Sequence, residues 1–225
     1  MPIDSQPEWE SLLSSAARLQ KIVPEAVMVG GTAAAAYAHH RVSYDHDHTL
    51  NDLRSRFDDI LASLESVAGW KTARVRRPVL ILGSLDGIET GVRQLIRSEP
   101  LETCQIDVGG ERITVPTQAE MLRIKAVLIL KRNATRDYLD FVALENSLGD
   151  ANSREALSRF DELYPQENGE SPLMQLAKQL ANPLPFDLDD TDLREYKSIV
   201  AEYQDWNNVR SMCQRIAIDV IQQML

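Results

Sequence analysis

The chain has 225 residues, with 24 basic and 34 acidic side chains and a net charge of −10. At about 150 residues per domain this length allows roughly 1.5 domains and excludes a long modular array. The acidic balance is unlike that of proteins that bind nucleic acid through their overall charge, although it allows a local basic groove. The two cysteines lack metal-site spacing, and neither a targeting segment nor a membrane-spanning run stands out, so we expect a cytoplasmic protein without a membrane partner.

The first half of the chain alternates helical and extended patterns. The predicted elements are a helix over 9–22, strands over 26–29 and 42–50, a helix over 51–67, a strand over 79–82, and a hairpin over 103–115 centred on Gly109-Gly110.

Only helical patterns follow residue 116. Helix starts are predicted at Thr117, Thr135, Ser153 and Ser171, and one or two closing helices over 191–225. This order predicts an α+β fold, with a mixed β-sheet and flanking helices in a domain over 1–116 and a C-terminal helical domain over 117–225.

Three features of the first domain point to chemistry. Gly30, Gly31 and Thr32 lie between a strand and a helix, where backbone N–H groups favour phosphate, although such a glycine pair is also a common structural turn. Asp45 and Asp47 are two apart on a predicted strand and so project from one face, either as ligands for Mg²⁺ or Mn²⁺ or as a polar strand edge.

The third feature is Asp107, which lies in an apolar strand beside the hairpin turn. We expect its carboxylate to be buried on at least one side, and a buried carboxylate needs a cation or several hydrogen-bond donors. Binding to the backbone N–H groups of the hairpin is the alternative role.

Together these features form the pattern of the nucleotidyltransferase (polymerase β-like) fold. The glycine pair with Thr32, the alanine-rich helix and Arg41-Val-Ser43-Tyr-Asp45-His-Asp47 resemble the AbiEii-type toxin family. Two downstream matches, Lys125 and the spacing of Asp137 and Asp140, extend the resemblance over about 27–145.

The resemblance implies a role for each of these residues. Asp45, Asp47 and Asp107 would bind metal, and Asp107 could also take the acceptor proton. Gly30, Gly31, Thr32 and Ser43 would bind the nucleotide, whereas Lys125, Asp137 and Asp140 would serve nucleotide binding and catalysis. From the residues alone, Lys125 could equally be a surface lysine and the aspartates a solvated helix start.

His46 and His48 depart from the family, which usually places apolar residues after each catalytic aspartate. They could be partly buried side chains that donate hydrogen bonds, or ligands of a transition metal, and their presence leaves a weakened enzyme open.

The function that the resemblance implies is metal-dependent transfer of a nucleoside monophosphate from an NTP to an acceptor hydroxyl. RNA, such as a tRNA 3′ end, is the implied acceptor, and an antitoxin protein would restrain the toxin. The alternatives are a protein of this fold that binds nucleotide or a partner without turnover, and a plain α+β interaction protein.

A basic stretch offers a candidate RNA contact. Four cationic side chains precede the strand predicted at 79–82, namely Lys71, Arg74, Arg76 and Arg77, and Arg93 and Arg97 follow in a segment predicted to be helical. They form either an RNA groove or an ordinary solvated surface.

Overall fold

The computed structural model describes residues 7–108 and 110–224. The chain divides into two compact units, one formed by residues 1–36 and 42–117 and the other by Tyr37–Arg41 together with Gln118–Leu225. The short segment Tyr37–Arg41 therefore groups with the helices, although it lies within the part of the sequence predicted as the first domain.

The first unit contains a five-stranded mixed sheet and a two-stranded sheet. Its elements in chain order are α1 (Pro7–Ile22), β1 (Val27–Val29), α2 (Gly30–Ala38), β2 (His46–Leu50), α3 (Leu53–Glu65), β3 (Trp70–Arg76), β4 (Leu80–Leu85), β5 (Ile88–Gln94), β6 (Thr103–Val108) and β7 (Glu111–Pro116). The strand order of the larger sheet is β1-β2-β5-β4-β3, in which only the β2–β5 pair is parallel.

One face of the five-stranded sheet is the hydrophobic core of this unit. Side chains of the sheet pack there with apolar residues of α1 and α3: Leu50, Trp70, Ile81, Leu85 and Val92 from the strands, with Leu19, Leu53, Phe57, Ile60 and Leu64 from the helices, and with Val23 just after α1. The alternation of half-buried and buried residues along β4 shows that its other face stays partly accessible.

The two-stranded sheet confirms the predicted hairpin, with Asp107 opposite Arg112. Gly110 has φ +83°, a left-handed conformation that favours glycine, and Gly109 lies outside the described residues. Asp107 is exposed, and its Oδ1 accepts a 3.3 Å hydrogen bond from the Gly110 backbone N–H. The prediction that Asp107 is buried is therefore wrong, because no layer covers its face of this small sheet.

Strands β3 and β5 were not predicted. Six of the seven residues of β3 are exposed, so no apolar alternation marks it in the sequence. Arg93 lies on β5, and its prediction as helical is wrong.

The second unit is helical. It contains α4 (Gln118–Arg132), α5 (Thr135–Leu148), α6 (Asp150–Ser158), α7 (Phe160–Leu163), α8 (Pro172–Ala181) and α9 (Trp206–Met224). Ser171 caps α8 as predicted and accepts from the Met174 N–H at 3.0 Å. Ser153 lies inside α6, so the predicted start there is wrong, and Asp187 rather than Thr135 supplies the capping oxygen of α5 through a 2.7 Å bond from the Thr135 N–H.

Candidate active site

The turn between β1 and α2 brings the backbone of Gly30 close to the side chain of Asp47. Gly30 has φ +83°, and a Cβ at this position would lie 3.6 Å from Asp47 Cβ and 4.0 Å from its Oδ2. A larger residue would be strained there and would fill the space beside Asp47. Gly30 and Gly31 begin α2, so the N-terminal N–H groups of this helix adjoin the carboxylate-bearing strand.

Asp45 and Asp47 flank the buried His46, and both are half-buried. Asp47 lies on β2 and points away from the face of its neighbours His46 and His48, whereas Asp45 precedes the strand. The projection of both carboxylates from one face stays a prediction. Gly91 of β5 lies opposite Asp47, and a Cβ there would lie 3.5 Å from Asp47 Oδ1. Glycine on the neighbouring strand therefore leaves room for the carboxylate.

Two hydroxyls that are predicted to bind nucleotide form hydrogen bonds with Asp45. Ser43 Oγ donates to Asp45 Oδ1 at 2.7 Å, and the buried Thr32 Oγ1 donates to the Asp45 backbone oxygen at 2.5 Å. Thr32 is in the first turn of α2, where its hydroxyl faces the segment that enters β2. Both side chains thus fix the approach of Asp45 to the sheet, and their binding of nucleotide stays a prediction.

Arg93 is a member of this site that the sequence did not reveal. Its Nε lies 3.6 Å from Asp47 Oδ1, and 48% of its side chain is exposed. Only the parallel pairing of β2 with β5, strands that begin at His46 and Ile88, brings the two together. No local sequence signal carries this contact.

His46 and His48 point to the opposite, buried face of the sheet. His46 Nε2 lies 3.0 Å from Ser15 Oγ and its Nδ1 lies 2.9 Å from Thr90 Oγ1, and burial lowers its pKa to about 4. Burial, followed by the charge of His46, holds the pKa of His48 well below 6.5, and neither ring nitrogen of His48 has a hydrogen-bond partner among the described residues. Both rings occupy core positions that apolar residues usually fill.

The oxygen donors of this site fit a divalent cation only in part. Asp47 presents hard oxygen ligands beside the space that Gly30 leaves open, and Asp45 lies two residues before it. In the described parts of the chain no three His, Cys, Asp or Glu side chains come together as a metal site. Asp107 lies in the other sheet, and its part in the predicted set of three stays a prediction.

The second unit contains a buried cluster of charges centred on Asp140. Lys125 Nζ lies 2.6 Å from Asp140 Oδ2, and Asp140 Oδ1 accepts from Arg41 Nε at 2.9 Å and from His40 Nε2 at 2.7 Å. Burial by itself would raise the pKa of Asp140, but Arg41, Lys125 and His40 outweigh it and hold that pKa well below its usual range. Burial lowers the pKa of His40, so at neutral pH the imidazole is neutral and donates through Nε2.

Asp137 binds a different cation. Arg132 forms two hydrogen bonds with its carboxylate, at 2.9 and 2.5 Å, and Lys125 Nζ is farther away at 3.9 Å. Lys125, Asp137 and Asp140 are thus brought together as predicted, but they are buried, and the exposed-lysine alternative is wrong. His40 and Arg41, about 100 residues before Asp140, were not predicted as its partners.

No family profile matches the chain. A curated relative, the heme uptake protein MmpL11 of Mycobacterium tuberculosis, is 34% identical over 131 residues, which is 56% of this chain. The mycolic acid-containing lipids exporter MmpL11 of Mycolicibacterium smegmatis is 32% identical over 130 residues. The chain spans about 13% of the length of these curated relatives. Within the described ranges, no helix combines the length and apolar character needed to cross a membrane.

Similarity to solved structures identifies the fold of the chain. A protein of H. pylori, provisionally described as a nucleotidyltransferase, matches 96% of this chain and 94% of its own with a TM-score of 0.56 and 14% identity. The antibiotic-resistance factor ANT(2'')-Ia matches 68% of this chain and 91% of its own with a TM-score of 0.51 and 12% identity, and it has also been solved in complex with adenylyl-2''-tobramycin. The chain therefore has a nucleotidyltransferase fold, in which helices flank a mixed sheet and further helices follow it.

Proposed function

We propose that the chain transfers a nucleoside monophosphate from an NTP to an acceptor hydroxyl in a reaction that needs a divalent cation. The observation that carries this proposal is the close approach of the Gly30 turn to Asp47 on β2, with Asp45 just before the same strand. A helix N-terminus accepts phosphate, and paired carboxylates hold a hard cation, so the two together suit a metal-bound triphosphate.

Each residue of this site has a distinct part in the proposal. Asp45 and Asp47 would hold Mg²⁺ or Mn²⁺, which when bound would offset negative charge on the reacting phosphate. The N–H groups of Gly30 and Gly31 would bind the outer phosphates. Ser43 and Thr32 act as positioning residues, since their hydroxyls orient Asp45.

The parts of Lys125, Asp137 and Asp140 remain predictions drawn from the resemblance. Lys125 is 2% exposed and its ammonium contacts Asp140, so a direct phosphate contact would require it to leave that ion pair. RNA as acceptor, an antitoxin partner and toxicity likewise rest on the resemblance, and a cytoplasmic location stays a prediction drawn from the sequence.

The test is nucleotidyl transfer by purified protein with labelled NTPs, Mg²⁺ and total RNA. Asp47→Asn removes one cation ligand and should lower transfer by about a hundredfold or more. Asp59→Asn, an exposed aspartate on α3, is the matched control and should leave transfer unchanged. Near-wild-type transfer by a folded Asp47→Asn protein would reject the assigned cation site.

A second function, nucleotide binding without turnover, is favoured by the two-carboxylate site and by the Arg93 guanidinium beside Asp47. Saturable binding of NTP and Mn²⁺ together with no transfer to any RNA, protein or small-molecule acceptor would support it. The histidines do not favour it, because both lie on the buried face of the sheet away from the carboxylates.

A further inference from the structure

The five-stranded sheet has a second face, here called the open face, which carries Asp47. In its central row, strand pairing places Asp47 opposite Gly91, Gly91 opposite Leu82, and Leu82 opposite Arg74. Paired residues on neighbouring strands point to the same side of a sheet. A Cβ on Gly91 would meet both Leu82 Cδ2 and Asp47 Oδ1, which confirms that these side chains share the face.

The next row of the open face carries more positive charge. Arg93 lies opposite Leu80, and Leu80 lies opposite Arg76. Lys71, paired with Ser84, is on the same side at the other end of β3, because Trp70 next to it points into the core. The open face therefore runs from Asp47 on β2 to cationic side chains on the edge strand β3, with the acidic Glu89 of β5 opposite Ser84 in the row of Lys71.

The cationic side chains on β3 have no partner in the described structure. Arg74 and Arg76 are exposed, and neither forms an ion pair with a described residue. Leu80 and Leu82, which lie between them and β5, are only half-buried. Arg77 differs, because it pairs with Asp58 and its guanidinium lies 4.9 Å from the centre of the Phe57 ring, and Phe57 belongs to the core on the opposite side.

We propose that the open face is an acceptor-binding surface for single-stranded RNA, with Arg74 and Arg76 as phosphate-binding residues. The proposal rests on the function proposed above, because it assumes that the reacting end lies at Asp45 and Asp47. Three strand spacings of about 4.8 Å separate β2 from β3, so a strand lying across the sheet would reach the arginines after about 14 Å. Arg93 lies between the two ends of this path.

Charge favours an anionic acceptor over a polycationic one. Tobramycin, the acceptor moiety in the ANT(2'')-Ia complex, is a polyamine, and Lys71, Arg74, Arg76 and Arg93 would repel such a molecule. Guanidinium groups bind phosphate with paired hydrogen bonds. The described side chains of the two rows include no aromatic ring on which bases could stack, so we expect little preference for base sequence.

The competing explanation for these charges is protection of an edge strand. Exposed cationic side chains and a bulge, such as the register shift between Thr72 and Arg74, keep an edge from pairing with another chain. Under that explanation the arginines would prevent aggregation but would make no contact with RNA.

The experiment measures the affinity of a fluorescently labelled 12-nucleotide oligouridylate across a salt series, with a chelator present and no NTP. Replacing both Arg74 and Arg76 by Ala should weaken binding about tenfold or more at low salt. It should also reduce the slope of log affinity against log salt by about 1.4, or about 0.7 for each lost contact. Arg77→Ala is the control, because it also removes one positive charge and lies next to the open face. It should keep the wild-type slope.

Several outcomes decide between the explanations. The Arg74→Lys/Arg76→Lys variant should recover most of the slope, because it keeps both charges. Equal slopes for the wild type and the double Ala variant, or no binding by the wild type at 50 mM salt, would overturn the proposal. Competition by polyglutamate as strong as that by RNA would overturn it in favour of an acidic protein partner.

This measurement is independent of turnover. If RNA binds through Arg74 and Arg76 but no transfer occurs, the proposed reaction fails and the binding surface stands. If transfer to RNA is lost with Asp47→Asn while the arginine variants bind and react as the wild type does, the reaction stands and the surface is rejected.

Discussion

Lys125 Nζ lies 2.6 Å from Asp140 Oδ2, and both side chains are almost completely buried. Asp140 also accepts hydrogen bonds from Arg41 and His40, so one carboxylate compensates two buried cations. Through these contacts the segment Tyr37–Arg41 is attached to α4 and α5 within the second unit.

The first prediction concerns the loss of that carboxylate. Asp140→Asn removes the closest counter-charge of the buried Lys125 and Arg41, and breaking a buried ion pair costs about 3–5 kcal/mol. We therefore expect the free energy of unfolding at pH 7 to fall by about that amount, measured by urea denaturation. Asp59→Asn is the control, and a comparable stability for the two variants would contradict the assigned compensation.

Lys125→Met should lower the free energy of unfolding less than Asp140→Asn does. Asp140 keeps Arg41 and His40 as partners, and methionine fills most of the lysine volume, so we expect a loss of about 1–3 kcal/mol. A stability loss with unchanged transfer would identify Lys125 as structural. A large loss of transfer and a raised NTP requirement at unchanged stability would instead show that the lysine leaves Asp140 to bind phosphate.

Under the proposed function, Arg93 would compete with the cation for Asp47. Arg93→Ala should raise the affinity of the free protein for Mn²⁺ by about twofold to fivefold, the range expected for an exposed ion pair. Mn²⁺ titration followed by electron paramagnetic resonance measures this directly, with the exposed Arg54→Ala on α3 as the control. Unchanged or weaker Mn²⁺ binding would show that the guanidinium does not restrain the carboxylate.

A substitution of His48 measures the cost of burying its two ring nitrogens in the sheet core. Neither of its ring nitrogens has a partner in the described structure, and an apolar side chain of similar size avoids the cost of burying them. We expect His48→Leu to retain or raise the unfolding free energy at pH 7, by up to about 2 kcal/mol, with transfer unchanged. A clear loss of stability would reveal a hydrogen bond, such as one to water, that the ring depends on.

The parts of the site that follow local rules could be predicted from the sequence. A glycine pair between a strand and a helix, and two aspartates on alternate positions of a strand, need only the geometry of a few consecutive residues. The contact of Arg93 with Asp47 depends on which strands become neighbours, and the sequence pattern does not determine that order.

Two errors have the same physical origin. Strand β3 shows no apolar alternation because it is an edge strand exposed on both faces, and Asp107 has apolar neighbours in the sequence but lies in a small, uncovered sheet. In both cases the layer that packs on the strand decides burial. The partners of Asp140 were missed for a related reason, since His40 and Arg41 precede it by about 100 residues.

The pH dependence of stability provides the last test of the Asp140 cluster. Arg41 and Lys125, despite burial, hold the pKa of Asp140 well below 3.8, so the native carboxylate stays ionised in acid while the unfolded one is protonated near pH 3.8. The contribution of Asp140 to stability is therefore complete above that pH and declines as the pH falls through and below it.

The stability difference between the wild type and Asp140→Asn should be constant from pH 7 to 5. Below pH 4 this stability difference should become smaller, and its rate of decrease should approach about 1.4 kcal/mol per pH unit. Urea denaturation at pH 7, 5, 4 and 3 checks this, with Asp59→Asn expected to show a small difference at every pH. A difference that grows in acid would mean that the native Asp140 carboxyl takes up a proton before the unfolded one does, contrary to the direction given by its buried cations.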